Sequence, residues 1–158
     1  FLMPNYAAYV NTAAGSPYPH NTKIFELARQ QGALTGYVHP FEGVPDFAKG
    51  EVLNHALPVD AALGKLDYIE VVGFSDHLAT AAVWYKLLNT GVRLPAGAGT
   101  DAMANYASLR GPVGMGRVFV KSGRLDYRAW LRALKQGRTF ATNGPLLELS
   151  VGGRGAGR

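Results

Sequence analysis

Residues 67–101, DYIEVVGFSDHLATAAVWYKLLNTGVRLPAGAGTD, decide the fold class of this chain. The segment 67–73 is apolar and rich in β-branched residues, which is typical of a buried strand. The residues after it predict a helix that stops at Gly91 and carries one apolar stripe, Leu78, Ala82, Tyr85 and Leu88. The segment VRLPAGAGTD then predicts a strand that ends near Asp101. A strand, a helix and a strand in this order predict parallel pairing.

The same alternation extends upstream. Residues 21–32 predict a helix, residues 33–40 (ALTGYVHP) a short strand ending at His39, and residues 58–65 another short helix. We therefore expect an α/β fold, either a parallel sheet or part of an α/β barrel. In both, the loops that follow the strands carry the functional site.

The rhythm changes after Asp101. GRVFVKSG at 116–123 predicts a strand, and DYRAWLRALKQGR at 126–138 predicts a helix with Asp126 as N-cap and Gly137 as stop. TFATNGPLLELSVGG at 139–153 predicts a strand, an Asn-Gly-Pro turn and an alternating strand. This end of the chain is expected to be an antiparallel appendage.

The amino-acid composition limits both the class of protein and the kinds of functional site that this chain can contain. The 158 residues are 47% hydrophobic and 17% charged, which predicts one globular domain. No apolar run approaches the roughly 18 residues of a membrane span, so we expect no membrane partner and a soluble protein, in a compartment that the sequence leaves open. The chain has no cysteine, which excludes disulfides, thiolate metal sites and cysteine nucleophiles. Any metal must then be held by His, Asp, Glu or water.

Positive charge is concentrated in the second half. Residues 1–90 contain five Lys/Arg and eight Asp/Glu, whereas residues 91–158 contain eleven and three. Many of these cations fall on the predicted helix at 126–138, where they form either a solvated face or an anion-binding surface. The pattern lacks the interleaved aromatic residues on which single-stranded nucleic acid stacks, so a nucleic-acid partner is not favoured.

His39 and Asp101 are the main candidate site residues. Each follows a predicted strand, and imidazole with carboxylate is a ligand set suited to hydrolytic metals such as Zn, Mn or Fe. Each also has a structural alternative: a hydrogen-bonded histidine, and an aspartate that caps a turn or helix. Their equivalent positions at strand ends favour a shared metal site.

Two further residues, His77 and Glu70, are catalytic candidates. His77 follows the strand that contains Glu70, and it would act as a ligand or proton carrier. The alternative is that Ser75 or Asp76 merely caps a helix beginning near His77. If Glu70 is buried, its carboxylate either forms a salt bridge with an arginine or has a catalytic role. The remaining histidines, His20 and His55, fall in predicted loops and are expected at the surface.

Three stretches carry a resemblance to a known family: HPF at 39–41, WYKLLNTGVRLPAGAGTDA at 84–102 and GRTFATNGPLLELSVGG at 137–153. From about residue 30 to its end, the chain resembles the carbaryl-hydrolase-like branch of the PHP superfamily, named for polymerase and histidinol phosphatase. The resemblance implies a distorted β/α barrel, a cluster of divalent metal ions at the strand ends and a β-rich appendage. It also implies hydrolysis of phosphoester, carbamate, ester or amide bonds in a small-molecule substrate by metal-activated water.

Within this resemblance His39 matches the histidine of the family's HP motif and Asp101 the aspartate of its GSD or GTD motif, both metal ligands there. Met103 stands where the family has a second ligand, and the opening HxH pair has no counterpart. We therefore expect a C-terminal fragment of a larger enzyme, with residues 1–120 as a partial barrel and residues 121–158 as a helix and β-hairpin leading into the appendage.

An incomplete barrel has consequences for activity and assembly. The ligand set is short, so low or no activity is expected from the chain alone. Exposed strand edges favour a homo-oligomer that covers them. The alternative function is a non-catalytic binding or interaction module that uses the basic second half.

Overall fold

The computed structural model describes residues 21–51, 53, 55–103 and 109–155. The helices are α1 (Asn21–Gln30), α2 (Leu57–Ala62), α3 (His77–Asn89) and α4 (Tyr127–Lys135), with a short 3-10 helix at Phe47–Lys49. The strands are β1 (Gly36–Tyr37), β2 (Tyr68–Val72), β3 (Ala96–Ala98), β4 (Arg117–Val120), β5 (Thr139–Thr142), β6 (Ser150–Val151) and β7 (Arg154–Gly155). None of the helices in these ranges is both long and apolar enough to cross a membrane.

The strands form three small sheets. β1, β2 and β3 are parallel neighbours in that order, so the parallel pairing predicted from residues 67–101 is confirmed. β4 pairs with β5, and β6 with β7, both antiparallel. The described ranges are thus mixed α/β, and their three-, two- and two-stranded sheets do not close into a barrel.

Beyond β5 the chain departs from its predicted course. β5 pairs with β4 across α4, and not with the segment that follows the Asn-Gly-Pro turn. At that turn the Thr142 hydroxyl accepts a 2.9 Å hydrogen bond from the N–H of Gly144, and Pro145 has no N–H to give to a ladder. The strand predicted after the turn is reduced to the two residues of β6.

Helix ends follow the sequence closely. The side chain of Asp126 accepts a 2.8 Å hydrogen bond from the N–H of Ala129, which confirms it as the N-cap of α4. Gly91 and Gly137, predicted to stop α3 and α4, have φ of 89° and 72°. This left-handed conformation is the usual one after a helix, and glycine adopts it without cost.

The core face of α3 differs from the predicted stripe. Leu78 and Tyr85 are 73% and 58% exposed, whereas the helix buries Ala79, Thr80 and Val83. Because α3 is apolar around much of its circumference, periodicity alone does not identify the inner face. That face packs on a core that also contains Phe25, Tyr37, Phe41, Leu57, Ile69, Val71 and Leu94.

A buried polar network joins α1, β1 and α2. Asp60 is 1% exposed and accepts hydrogen bonds from the hydroxyls of Tyr37 (2.8 Å) and Thr22 (2.7 Å). Asn21 donates to the Tyr37 hydroxyl at 2.8 Å. Burial, with the hydrogen bond and charge of Asp60, raises the pKa of Tyr37 to about 12 despite the opposing effect of Asn21. The phenol therefore stays a proton donor to Asp60.

Asp67 ties both flanking helices to the sheet. Its side chain is 2% exposed and contacts Lys135 of α4 at 2.9 Å and Arg29 of α1 at 3.2 Å. The backbone N–H of Thr35 donates to it at 2.9 Å. Burial acts to raise the pKa of Asp67, but the hydrogen bonds from Lys135 and Thr35 and the charge of Arg29 outweigh it, so the pKa lies below its ordinary value.

Candidate functional site

The carboxyl edge of the parallel sheet brings three of the four predicted site residues together. His39 follows β1 by two residues, Asp101 follows β3 by three, and Glu70 lies within β2 between them. Oε2 of Glu70 accepts a 2.7 Å hydrogen bond from the backbone N–H of His39. The charges of His39 and Asp101 both act on the Glu70 carboxyl. Adjacent parallel strands therefore place one imidazole and two carboxylates at one edge.

Glu70 is the buried member of this group, with 7% of its surface exposed. Burial raises the pKa of Glu70 and the Asp101 charge adds to this effect, while the hydrogen bond and charge of His39 oppose it. Among the described residues, the hydrogen bond that Glu70 accepts comes from the backbone N–H of His39 and not from an arginine. A Cβ on Gly73 or Gly99 would lie 2.3 or 2.5 Å from a Glu70 carboxylate oxygen, so these glycines make room for the side chain.

His39 and Asp101 share an unusual backbone. Their φ angles are 34° and 54°, and among the described residues no other non-glycine has a positive φ. This region is costly for residues with a Cβ, although Asp and His enter it more readily than most. Such positions concentrate at functional sites. Both side chains are exposed at the sheet edge, unlike Glu70.

Thr100 anchors the loop that carries Asp101. Its hydroxyl accepts hydrogen bonds from the N–H groups of Gly116 (2.9 Å) and Gly114 (3.2 Å), and it donates to the Gly116 carbonyl at 3.3 Å. A Cβ on Gly116 would lie 2.4 Å from the Gly99 carbonyl oxygen, so the two loops touch through their backbones. This contact fixes the exit of β3 against the loop before β4.

Arg110 is the partner of Asp101. Its Nη1 forms an ion pair with Oδ2 of Asp101 and a 3.3 Å hydrogen bond to the Asp101 carbonyl oxygen. Its guanidinium carbon also lies 4.6 Å from the ring centre of Phe74, which follows β2. The carboxylate of Asp101 is thus engaged by a cation. Nothing in the spacing of the sequence indicated this pair.

His77, the fourth predicted residue, is not joined to the others. It is the exposed first residue of α3, and none of the hydrogen bonds or ion pairs among the described residues links its ring to His39, Glu70 or Asp101. Asp76 caps α3 by accepting from the N–H groups of Leu78 (2.9 Å) and Ala79 (3.0 Å). The helix-capping alternative for this segment is therefore confirmed.

His55 is not a surface residue, contrary to the expectation from its loop. It is half-buried, and its Nε2 is 2.8 Å from the Pro40 carbonyl oxygen. Its ring packs 5.1 Å from that of Phe41 and 5.3 Å from that of Tyr37. The loop folds back over this aromatic cluster, which buries the imidazole. His20 lies outside the described residues.

Within the described ranges, no three His, Asp or Glu side chains are placed to share one metal ion. Comparison of the chain with protein-family models, with curated proteins and with solved structures gave no match. The residues of the site are therefore the basis on which a function is assigned.

A second feature is a groove of about 460 Å³ between α4 and residues 31–34. Arg128 and Arg132 line it, one helical turn apart, and both are exposed. Neither side chain has a hydrogen bond or ion pair within the described part of the chain. Groove-lining residues are Gln31, Gly32, Ala33, Leu34, Tyr127, Arg128, Leu131, Arg132 and Lys135, a set without any carboxylate.

Proposed function

We propose that this chain supplies part of the active centre of a metal-dependent hydrolase, with His39 and Asp101 as ligands of Zn, Mn or Fe. Its substrates are small molecules with phosphoester, carbamate, ester or amide bonds, and its parent architecture is a PHP-type β/α barrel. The observation that carries the proposal is the convergence of His39, Glu70 and Asp101 at the carboxyl edge of a parallel sheet. This is the edge where α/β enzymes locate their sites.

The donor chemistry fits such a metal, although the ligand set is incomplete. Imidazole and carboxylate without thiolate suit Zn, Mn and Fe. A catalytic site needs about three protein ligands, and the described residues contain no group of three. A further donor must therefore come from outside the described residues or from a second copy of the chain. For this reason we expect the chain alone to have low or no activity.

The chain's own residues would have distinct tasks. The chemistry that a divalent metal supplies is a water acidified to a pKa of about 7 and a polarised scissile bond. Glu70 acts as a positioning residue, because its carboxylate holds the backbone of His39 through the N–H hydrogen bond. Thr100 does the same for Asp101 by fixing the loop at the exit of β3.

Metal binding tests this proposal directly. Purified wild-type chain is dialysed against Zn²⁺ or Mn²⁺, and bound metal is measured by mass spectrometry beside His39→Ala and Asp101→Ala. We expect each substitution to reduce affinity by about tenfold or more, because even the loss of a residue that only supports a ligand costs about 10- to 100-fold. Light scattering with and without metal determines whether a second copy completes the site.

Two matched variants serve as controls. Glu148→Ala removes an exposed carboxylate far along the chain, and His77→Ala removes an exposed imidazole for which the described residues show no hydrogen bond or ion pair to the site. Both should bind metal as the wild type does. Equal binding by all five proteins would show that the metal is adventitious, and loss in His77→Ala would add this residue to the ligand set.

The second candidate function is an interaction module for an acidic partner. The observation that favours it is the groove with Arg128 and Arg132, which lack counter-charges among the described residues. A thioether at Met103 and the engagement of Asp101 by Arg110 also agree with a site that holds no metal.

A labelled poly-glutamate peptide separates this candidate from the hydrolase. The double variant Arg128→Gln/Arg132→Gln should weaken its binding, whereas Lys121→Gln/Arg154→Gln removes two exposed charges away from the groove and should keep the wild-type affinity. Fluorescence anisotropy at two salt concentrations measures both. If the two variants bind the peptide equally, the attraction is a property of net charge and the groove is not its site.

A further inference from the structure

We propose that the groove along α4 binds an acidic peptide that carries one aromatic side chain, with its carboxylates at Arg128 and Arg132 and its ring in an adjoining apolar cavity. This inference rests on the interaction module named above as the second candidate function, and it specifies the chemistry of the partner. It is independent of the metal site.

The apolar cavity has a volume of about 220 Å³ and adjoins the groove. The groove and the cavity share four lining residues, Ala33, Leu34, Tyr127 and Leu131. None of the described residues that line the cavity carries a charge, whereas three cationic side chains line the groove. A ligand that occupies both must therefore join an apolar group to anionic groups.

The sheet side of the cavity is preformed. Tyr68 of β2 lines it, and a Cβ on Gly36 of β1 or on Gly97 of β3 would lie 2.7 or 2.9 Å from the Tyr68 ring. The ring therefore lies against the backbones of both neighbouring strands. The helix α4 contributes Trp130 and Leu134 to the lining. Because these elements are already packed, binding requires little further ordering of the cavity.

The size of the cavity matches one side chain better than a whole small molecule. Sites for drug-sized ligands usually measure about 300–1,000 Å³, and the cavity of about 220 Å³ falls below that range. Protein interfaces commonly place an aromatic anchor in such a pocket. The rings of Tyr68 and Trp130 in the lining favour an aromatic anchor, because paired rings gain energy beyond the area that they bury.

The charges of the groove identify the other part of the partner. Arg128 and Arg132 are one helical turn apart, so they lie on the same side of α4. Both are exposed, and neither has an ion pair among the described residues. Lys135, in contrast, is already paired with the buried Asp67 at 2.9 Å. Two guanidinium groups without counter-charges favour carboxylates, with which arginine forms bidentate pairs.

Isothermal titration calorimetry of the intact chain tests the anchor with two peptides, Glu-Glu-Phe-Glu-Glu and Glu-Glu-Ala-Glu-Glu. We expect the phenylalanine peptide to bind the wild type about tenfold more tightly, the factor that burial of one ring supplies. Val118→Phe, which fills the cavity from β4, should abolish this preference. Val120→Phe, the same change two residues along β4 and outside the cavity lining, should keep it.

A second measurement needs no substitution in the cavity. Methyl spectra of the wild type, recorded with each peptide, report the position of the bound ring. The phenylalanine peptide should shift the methyl signals of Leu34 and Leu134 by its ring current, and the alanine peptide should leave them unchanged. Ring-current shifts confined to methyl groups outside the cavity would place the ring elsewhere and overturn the inference.

The outcomes separate this inference from the function on which it rests. A preference for the phenylalanine peptide that Val118→Phe removes and Val120→Phe keeps supports the cavity as the anchor site. Equal binding of both peptides to the wild type, weakened by Arg128→Gln/Arg132→Gln, overturns the anchor and leaves the acidic-partner groove standing. A preference that survives in a folded Val118→Phe variant, or that Val120→Phe also loses, overturns the anchor as well. Binding of neither peptide overturns the interaction module and, with it, this inference.

Discussion

The backbone N–H of His39 donates a 2.7 Å hydrogen bond to Oε2 of Glu70. This bond crosses from the exit of β1 to the middle of β2 and ends on a carboxyl that is 7% exposed. The backbone of the exposed candidate ligand His39 is therefore held in place by a buried carboxyl on the neighbouring strand.

Glu70→Gln keeps an acceptor for His39 and removes the buried charge. Because the pKa of Glu70 is raised in the folded protein, the folded state binds its proton more tightly, and wild-type stability falls as pH rises from the ordinary glutamate pKa through the raised one. The glutamine variant lacks this fall, so its advantage in unfolding free energy should grow across that window. Urea unfolding from about pH 4 to 8 measures it. Identical pH slopes for the two proteins would mean that the Glu70 carboxyl is not desolvated.

Asp67→Asn should have the opposite pH dependence. The lowered pKa of Asp67 stabilises the fold above the ordinary aspartate pKa, and this contribution is lost as pH falls through the lowered value. We expect a cost of about 2 kcal/mol at neutral pH that shrinks in acid. Glu26→Gln, which breaks a partly exposed pair with Lys65 at 3.3 Å, should cost under about 0.5 kcal/mol. A similar cost for both variants would count against Asp67 as the tie between the helices and the sheet.

Gly36→Ala should destabilise the parallel sheet. A Cβ at this position would lie 2.7 Å from the Tyr68 carbonyl oxygen and from its ring, and the backbone atom cannot move aside. We expect a loss of about 2 kcal/mol or more. Gly43→Ala is the control, since nothing lies within 4 Å of its Cβ. Thermal unfolding compares them, and equal melting temperatures would contradict the close contact of β1 with Tyr68.

Thr100→Val keeps the shape of the side chain and removes its hydroxyl. The N–H groups of Gly114 and Gly116 then lose their acceptor, at an expected cost of about 2 kcal/mol. Thr100→Ser retains the hydroxyl and should preserve the loop. Amide hydrogen exchange at both glycines provides the measurement: it should quicken in the valine variant only. Unchanged exchange in Thr100→Val would remove Thr100 as the anchor of this loop.

Local signals in the sequence predicted the elements well. The cap at Asp126 and the stops at Gly91 and Gly137 are governed by backbone chemistry within a few residues. Alternation of strands and helices predicted the parallel order of β1 to β3. Placement of His39 and Asp101 at one sheet edge followed from that order.

Contacts between distant segments were beyond the sequence pattern. The pair Asp101–Arg110 and the bonds of Thr100 to residues 114–116 depend on how one loop folds back on another. The burial of His55 against Phe41 and the choice of the inner face of α3 depend on which apolar surfaces pack together in the folded chain. None of these contacts can be read from hydrophobic periodicity or from a sequence motif, because many loop paths satisfy the same local preferences.

The left-handed backbone at His39 and Asp101 would be less strained with glycine, but glycine would remove the two candidate ligand side chains. Glycine adopts such angles without the penalty of a Cβ. A library randomised at both positions and selected only for surviving heat should accumulate glycine and asparagine there. The same library selected for zinc retention should return histidine and aspartate. The two selections would therefore enrich different residues at the same two positions.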